Sequence, residues 1–511
     1  MQSEVTNRKA QVISTTAFIL AVLAAIFLRL YLLELKPLHH DEGVNSHFLL
    51  NLSHDHKYIY DPTNYHGPTL YYFTLISLAI FGETDFALRV YPAICGVLTV
   101  ILTWGLRRSL GLVGTPAAAW CLALSPGLVY FSRDFIHESS FGLFTVGMIV
   151  ALYNRKSKYG IIFFSIFTGL LFTTKETSIH STVVLSLSVI AALLWDWLRI
   201  LISGDRSAIL TPQLRLHRDL LLRSFSAFSG IFVVIYLSFY TSFFTNLRGP
   251  YDFLRSVFMW TGRGVTEHIH DHAFTYYLGV LVKLELPFVI ALVIGIVITL
   301  WRGNRFGLFT MAWACGMVLG YSLIPYKTPW LMVSMLIALA VFSGYVAQLI
   351  FEILKYPAPQ LAFIAVLISL AIPITKTSWS VNFVNYDDNN NSTGYLKSFG
   401  ERLKLRAYSD TQYGYVYAQT DKDLLNLVAE VNQLRPASIH LSSPDYWPLP
   451  WYLRNWKITG YTQEIPDNFS GPLLIAAGNQ REDAEQKLQG HYRSQEFVLR
   501  PGVNLILYTR E

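Results

Sequence analysis

The stretch "PLHHDEGVN", Pro37 to Asn45, sets Asp41 and Glu42 side by side directly after His39 and His40. A carboxylate acts as general base on a hydroxyl or amine when it lies within hydrogen-bond reach of the proton. Adjacent residues in an extended or helical backbone point in different directions, so the pair divides its roles. Asp41 is the candidate base, and Glu42 either orients the loop or binds a cation. Further along, "SRDFIHES" holds Arg133, Asp134, His137 and Glu138, and "TTKETS" holds Lys175 and Glu176. Arg263, "EHIHDH" and the Lys327 of "IPYKTPW" complete the polar sites. Lysine and arginine in such company would stabilise charge developing on a departing phosphate. The alternating His268 and His270 would share one face of a strand, a spacing suited to a transition metal. With Glu42, His40 and His137 they form the candidate metal set.

Each feature also has a plainer reading. An Asp-Glu pair after a helix serves as a cap, "SRDFIHES" as a polar loop with an internal salt bridge, and the histidine run as an exposed loop. Lys327 lies between two proline-containing turns and could snorkel. Arg29, within the first apolar run, must face protein or a wet cavity. Trp447, Trp451 and Trp456 in "DYWPLPWYLRNW" would stack on sugar rings or pack against the membrane surface.

The elements that position these groups follow from composition. The 511 residues are 52% hydrophobic and only 14% charged, with mean hydropathy +0.36. Soluble domains carry about 25% charged residues, and apolar runs long enough to cross a bilayer recur along this chain. The spacing predicts about eleven spans (ten to thirteen) near 12–33, 86–106, 115–131, 136–153, 160–174, 178–198, 224–245, 277–300, 306–324, 330–353 and 359–375. Val12 to Leu33 is too long for a signal-peptide core and lacks a small-residue cleavage site, so it is read as a retained helix. The run Pro68 to Gly82 is too short to cross comfortably and reads as an interfacial helix. The expected fold is therefore a mostly α polytopic membrane domain, residues 1–375, with interfacial helices in its first outer loop. Residues 376–511 form a small α/β extramembrane domain, with a helix at "TDKDLLNLVAEVNQL" and strands at "SIHLSS", "GPLLIAAG" and "VNLILYT".

With the N-terminus inside, the inner segments hold 15 basic residues against five acidic ones, as the positive-inside rule requires. The acid-rich loops therefore face outward, and thirteen of the 14 histidines fall on that side or at its helix ends. By this count the C-terminal domain is outside as well, and the expected location is the plasma membrane. Basic inner loops account for the net charge of +6, so no nucleic-acid partner is implied. Cys95, Cys121 and Cys315 all lie in apolar runs and offer neither a disulfide framework nor a CxxC metal site.

Taken in order, "LRLYLLELKPLHHDEGVN", "YHGPTLYYF" and "GETDFALRVYPAICGVLTVILTWGLRRSLG" resemble the membrane-embedded GT-C glycosyltransferases that use polyprenyl-phosphate-linked sugars. That group includes protein O-mannosyltransferases and the bacterial transferase that adds aminoarabinose to lipid A. "SRDFIHES" is similar to its second outer loop. "PYKTPWL" and "DYWPLPWYLR" are closer to a prokaryotic flippase-activity-associated subfamily. The broad resemblance covers roughly residues 15–330 and implies that an acidic residue of the first outer loop is the base. The match is Asp41 with Glu42 adjacent, assisted from the second loop by Glu138 or Asp134. Several relatives carry a donor-phosphate lysine where this chain reads Tyr65-His66-Gly67-Pro68, and an arginine near the second acid where it has His137. The phosphate role then passes to His66, Arg133, Lys327 or Arg263.

The implied reaction is an inverting single displacement on a polyprenyl-phosphate sugar, with a protein, lipid or glycan as acceptor. Neither a Walker loop nor a convincing GxGxxG is present, and a lipid-phosphate donor needs neither. No cofactor is required, and a divalent metal is optional. The rival readings are a transporter or lipid-linked-sugar flippase, and a non-catalytic component of a cell-surface glycosylation pathway. Transporters place ionisable groups near the midplane on broken, repeated helices. Here the charges lie at one rim and no repeat is evident.

Overall fold

The computed structural model describes the chain except residues 1, 65, 155–156, 158, 204–217, 267–270, 385, 387–414 and 416–418. Its first nine helices are α1 (Gln2–Leu30), α2 (His40–Asp55), α3 (Thr69–Phe81), α4 (Asp85–Leu102), α5 (Arg107–Leu124), α6 (Pro126–Ser132), α7 (Glu138–Tyr153), α8 (Gly160–Phe172) and α9 (Ser178–Ser203). Among the described residues six helical stretches are long and apolar enough to cross a membrane, or seven if one pair bent by 110° counts as a single span. That pair is Tyr276–Leu284 with Leu286–Arg302. Four shorter apolar helices, α3, α7, α8 and Ala227–Tyr240, accompany them. The molecule is thus a helical membrane protein, with several of the expected spans drawn as short helices. The last apolar stretch reaches Val384, past the expected boundary at 375.

The helical stretch Asp85–Leu124 covers 40 residues. At 1.5 Å per residue it would measure about 60 Å if straight, twice the thickness of the hydrocarbon. It folds back instead. Gly111 has φ +72°, a left-handed conformation that glycine adopts without a Cβ penalty. As a result Arg29 touches both arms, lying against Gly96 of α4 and donating to the carbonyl of Leu122 at 2.8 Å. The expected spans 86–106 and 115–131 are the arms of this hairpin. Beside it, the helix Met332–Ile353 runs through the most buried part of the bundle and packs on α5.

The C-terminal α/β unit has a five-stranded sheet in the order β2-β1-β3-β5-β4. Its strands are β1 (Ile439–Ser442), β2 (Ile458–Thr462), β3 (Leu473–Ala477), β4 (Tyr492–Arg500) and β5 (Val503–Arg510). β1 lies parallel to β2 and β3, and β5 lies antiparallel to β3 and β4. The helix Asp423–Leu434 buries Leu424, Leu427 and Val431 against the sheet.

Candidate active site

The chain enters α2 through a cap that uses Glu42 rather than Asp41. The Glu42 carboxylate accepts from the His39 backbone N–H at 2.9 Å, and His39 Nδ1 accepts from the Asp41 N–H at 3.2 Å. This is the reciprocal arrangement of a capping box. Glu42 is fully buried and receives the Arg89 guanidinium as a fork, Nε to Oε1 and Nη2 to Oε2, both at 2.7 Å. The Phe135 N–H adds a fourth donor at 2.8 Å. Burial alone would push this carboxyl up, but Arg89 overrides it and holds Glu42 well below the usual carboxylate range. Glu42 therefore ties α2 to α4 and to the loop before α7.

Asp41, one residue earlier, turns away from that network. It is half-buried, and among the described residues its carboxylate has no hydrogen-bond or basic partner. Burial raises its pKa to about 7, Glu138 and Glu42 push the same way, and Lys175 opposes them. Three of the other acids are paired, Glu42 as above, while Glu176 is buried with no ion-pair partner among the described residues, and burial raises it to about 7 too. Asp134 meets the Lys36 ammonium, and Glu138 accepts from Lys175 Nζ at 2.7 Å, both pairs nearly inaccessible to solvent.

Three loops converge to make this arrangement. His66 bridges Lys175 in antiparallel fashion, the Gly67 N–H donates to the Thr174 carbonyl at 3.0 Å, and His137 Nε2 lies 3.2 Å from the Gly67 carbonyl. A Cβ at Gly67 would lie 2.2 Å from the Thr173 oxygen, so only glycine permits this approach. The His66 and His137 rings sit 4.6 Å apart. Burial, reinforced by Lys175, lowers His66 to about 4, leaving its ring neutral near pH 7.

The remaining sequence candidates lie elsewhere or are already engaged. Arg133 donates to the carbonyls of Leu28, Arg29, Tyr31 and Leu32 at 2.6–3.3 Å, satisfying the last turn of α1. Lys327 is buried and spends its ammonium on the carbonyls of His272, Ile324 and Pro325. Neither therefore presents its charge beside Asp41. Arg263 is on the helix Gly249–Thr266, remote in sequence from the three loops, and its side chain is outside the described part. His268 and His270 lie outside the described residues altogether. His40 faces Trp447 edge-on rather than the acids. Among the described residues no group of three or more His, Cys, Asp or Glu side chains is placed to hold a metal ion.

With this geometry established, similarities to known proteins become informative. The family model described as dolichyl-phosphate-mannose-protein mannosyltransferase matches residues 65–209, from His66 through Lys175 and α9. ArnT from Cupriavidus metallidurans bound to undecaprenyl phosphate superposes with a TM-score of 0.59 at 13% identity, over 97% of each chain. Its apo form gives 0.58 at 14% identity, over 96% of this chain and 97% of that one. The Archaeoglobus fulgidus oligosaccharyltransferase, tethered with an acceptor peptide, gives 0.50 at 14% identity, over 87% of this chain and 63% of that one. The chain has the GT-C fold. No curated protein matches it significantly in sequence.

Within this GT-C fold the C-terminal domain is pinned to the membrane part beside α2. Trp451 is buried, not stacked on a membrane surface, and its Nε1 donates to Asp85 at 2.7 Å. Tyr452 donates to the same carboxylate at 3.0 Å and accepts from the Leu38 N–H at 2.9 Å. Arg454 pairs with Glu83 at 2.8 Å. Trp456 points back into its own domain, to Asn432. Trp447 and Pro448 seat on Gly43 so closely that a Cβ there would lie 2.6 Å from the Pro448 Cβ.

Sequence reasoning passed over Arg89 and Lys36, the partners of Glu42 and Asp134. Arg89 stands in the quoted "GETDFALRVYP" stretch, and a single arginine in an apolar helix was the available signal.

Proposed function

We propose that this chain is an integral membrane glycosyltransferase that moves a sugar from a polyprenyl-phosphate donor to an acceptor at the outer face of the plasma membrane. One observation carries the reading. Of the five acids gathered by the loops, Glu42, Asp134 and Glu138 each have a basic partner; Asp41 and Glu176 have no ion-pair partner among the described residues, and of these two Glu176 is buried while Asp41 reaches the surface. An unpaired, half-buried carboxyl with a pKa near 7 suits a general base working at neutral pH.

In the proposed reaction Asp41 takes the proton of the acceptor hydroxyl or amine as its heteroatom attacks the anomeric carbon. The bond from that carbon to the phosphate oxygen breaks, polyprenyl phosphate leaves with the electron pair, and in-line attack inverts the carbon. Lys175, whose field acts on Asp41, is the proposed partner of the departing phosphate, which would take the place of Glu138 on its ammonium, and the neutral His66 bridged to it would stand beside it. Glu138 positions Lys175. Asp134 and Lys36 brace the second loop. The scheme draws on no cofactor, and a divalent cation remains optional. A fold neighbour bound to undecaprenyl phosphate and another tethered with an acceptor peptide support a lipid-phosphate donor and a separate acceptor.

The test compares purified wild type and Asp41→Asn, matched for melting temperature, across a panel of polyprenyl-phosphate sugars plus host membrane extract. Released polyprenyl phosphate is measured. Release by wild type alone is the expected result. Equal release by both rejects Asp41 as base, and no release by either, with the donor still bound, favours a transporter or scaffold.

A further inference from the structure

One set of groups plays no part in the proposed chemistry yet leads directly to it. From His40, the neighbour of Asp41, a row of rings crosses to the C-terminal domain. His40 and His47 of α2 meet the Trp447 ring at 6.4 and 5.9 Å, Trp447 meets Tyr446 at 5.3 Å, and Tyr446 meets Tyr461 at 5.2 Å. His47 and Tyr461 are exposed, Tyr461 to 46%, and the rings between them are half-buried. Alongside runs the ion pair of Asp445 and Arg500, both half-buried and close enough to act on His40.

We infer that this row is the platform for a neutral oligosaccharide acceptor, which lies along Tyr461, Tyr446 and Trp447 and presents its terminal hydroxyl to Asp41. The inference rests on the glycosyltransferase reading above and assigns the acceptor class.

The chemistry of the row selects among ligands. A pyranose ring has a flat C–H face that packs on the electron-rich face of an aromatic side chain, while its rim of hydroxyls requires planar hydrogen-bonding groups. The Arg500 fork and the Asp445 oxygens supply donors and acceptors of that kind beside the rings. Their charges cancel, and the row carries no excess of cations, which a polyphosphate or nucleic acid would demand. A peptide could add to the edge strand β2 through its backbone. Only Tyr461 of this row belongs to β2, however, and the others stand on the 446–447 turn and on α2, so the surface is built from side chains across elements. The row begins on the first turn of α2, at His40, the residue before the proposed base.

The experiment measures binding directly, on the full chain in lipid nanodiscs without donor. Uncharged gluco- and manno-oligosaccharides of two to six units, and an uncharged hexapeptide, are titrated calorimetrically and by saturation-transfer NMR. Saccharide affinity is expected to rise with length up to the row's extent. It should fall about tenfold in Trp447→Ala and severalfold in Tyr461→Ala. Tyr461→Ala is the second variant because Trp447 also packs on Gly43, and loss of the tryptophan could loosen the domain. Release of polyprenyl phosphate by wild type and Asp41→Asn, measured separately with donor present, tests the catalytic reading independently of saccharide binding. Saccharide binding unchanged in both aromatic variants, no saccharide binding at all, or peptide binding that Tyr461→Ala abolishes would each overturn the inference and leave the role of Asp41 standing.

Discussion

Arg89→Met isolates what holds the base in place. Arg89 is completely buried and gives two 2.7 Å bonds to Glu42, and further bonds to the carbonyls of Leu33, Lys36 and Pro37 at 2.9–3.2 Å. Methionine fills similar space with no donor. Glu42 would then keep only the backbone N–H groups of His39 and Phe135. Removing one partner of a buried ion pair costs about 3–5 kcal/mol, because the other charge is left uncompensated. That is a large fraction of a typical folding free energy. The first turn of α2 would also lose its tether, and a displacement of about 1 Å at a reacting group costs on the order of a hundredfold in rate. The expected phenotype is a clearly lowered melting temperature in detergent together with at least a hundredfold slower release of polyprenyl phosphate. The double variant Glu42→Leu/Arg89→Met should recover much of the stability and little of the rate, since it removes the stranded charge without restoring the tether. Asp41→Asn should do the reverse, with stability kept and rate lost. An Arg89→Met protein that melts and turns over like wild type would refute the anchoring role of Glu42.

Turnover should rise with pH through about 7, where Asp41 loses its proton. Glu138→Gln removes a negative neighbour and should move that limb to lower pH, whereas Lys175→Met removes the opposing cation and should move it higher. A shift of about one unit changes the rate severalfold at pH 6 and hardly at pH 8.5, so pH–rate profiles of the two variants moving the same way would contradict the assignment. Gly43→Ala should dislodge the Trp447–Pro448 turn and increase protease cleavage between the membrane and C-terminal parts, while the membrane part stays folded. Asp85→Ala, which strands the Trp451 N–H and the Tyr452 hydroxyl, should weaken the same docking and lower the melting temperature. Wild-type proteolysis in both would show that the domain is held by other contacts.

Much of the architecture was legible because hydrophobicity is a one-dimensional property. The runs "SIHLSS", "GPLLIAAG" and "VNLILYT" became β1, β3 and β5, the buried strands of the C-terminal sheet, and "DLLNLVAEVNQL" became the helix on it. β2 and β4 were missed because each has exposed positions and little apolar contrast, with "ITGYT" half-exposed along its length. The span count was read from run length. It anticipated the short α7 and α8 at 136–153 and 160–174 but not the 110° break at Glu285, since bends are settled by neighbours.

The site divides along the same line. By itself the sequence determined that acids, histidines and lysines gather at the ends of the apolar runs, because a charge within hydrocarbon is costly and is kept to the rim. It could not determine which acids are unpaired. Glu42 meets an arginine 47 residues away, and Glu138 a lysine 37 residues away, across loops brought together by packing. Spacing along the chain says nothing of these encounters. Only the tertiary structure neutralised Glu42, Asp134 and Glu138, buried Glu176 and left Asp41 half-buried at the surface without a basic partner, because a buried charge takes the nearest compensating partner in space, not in sequence.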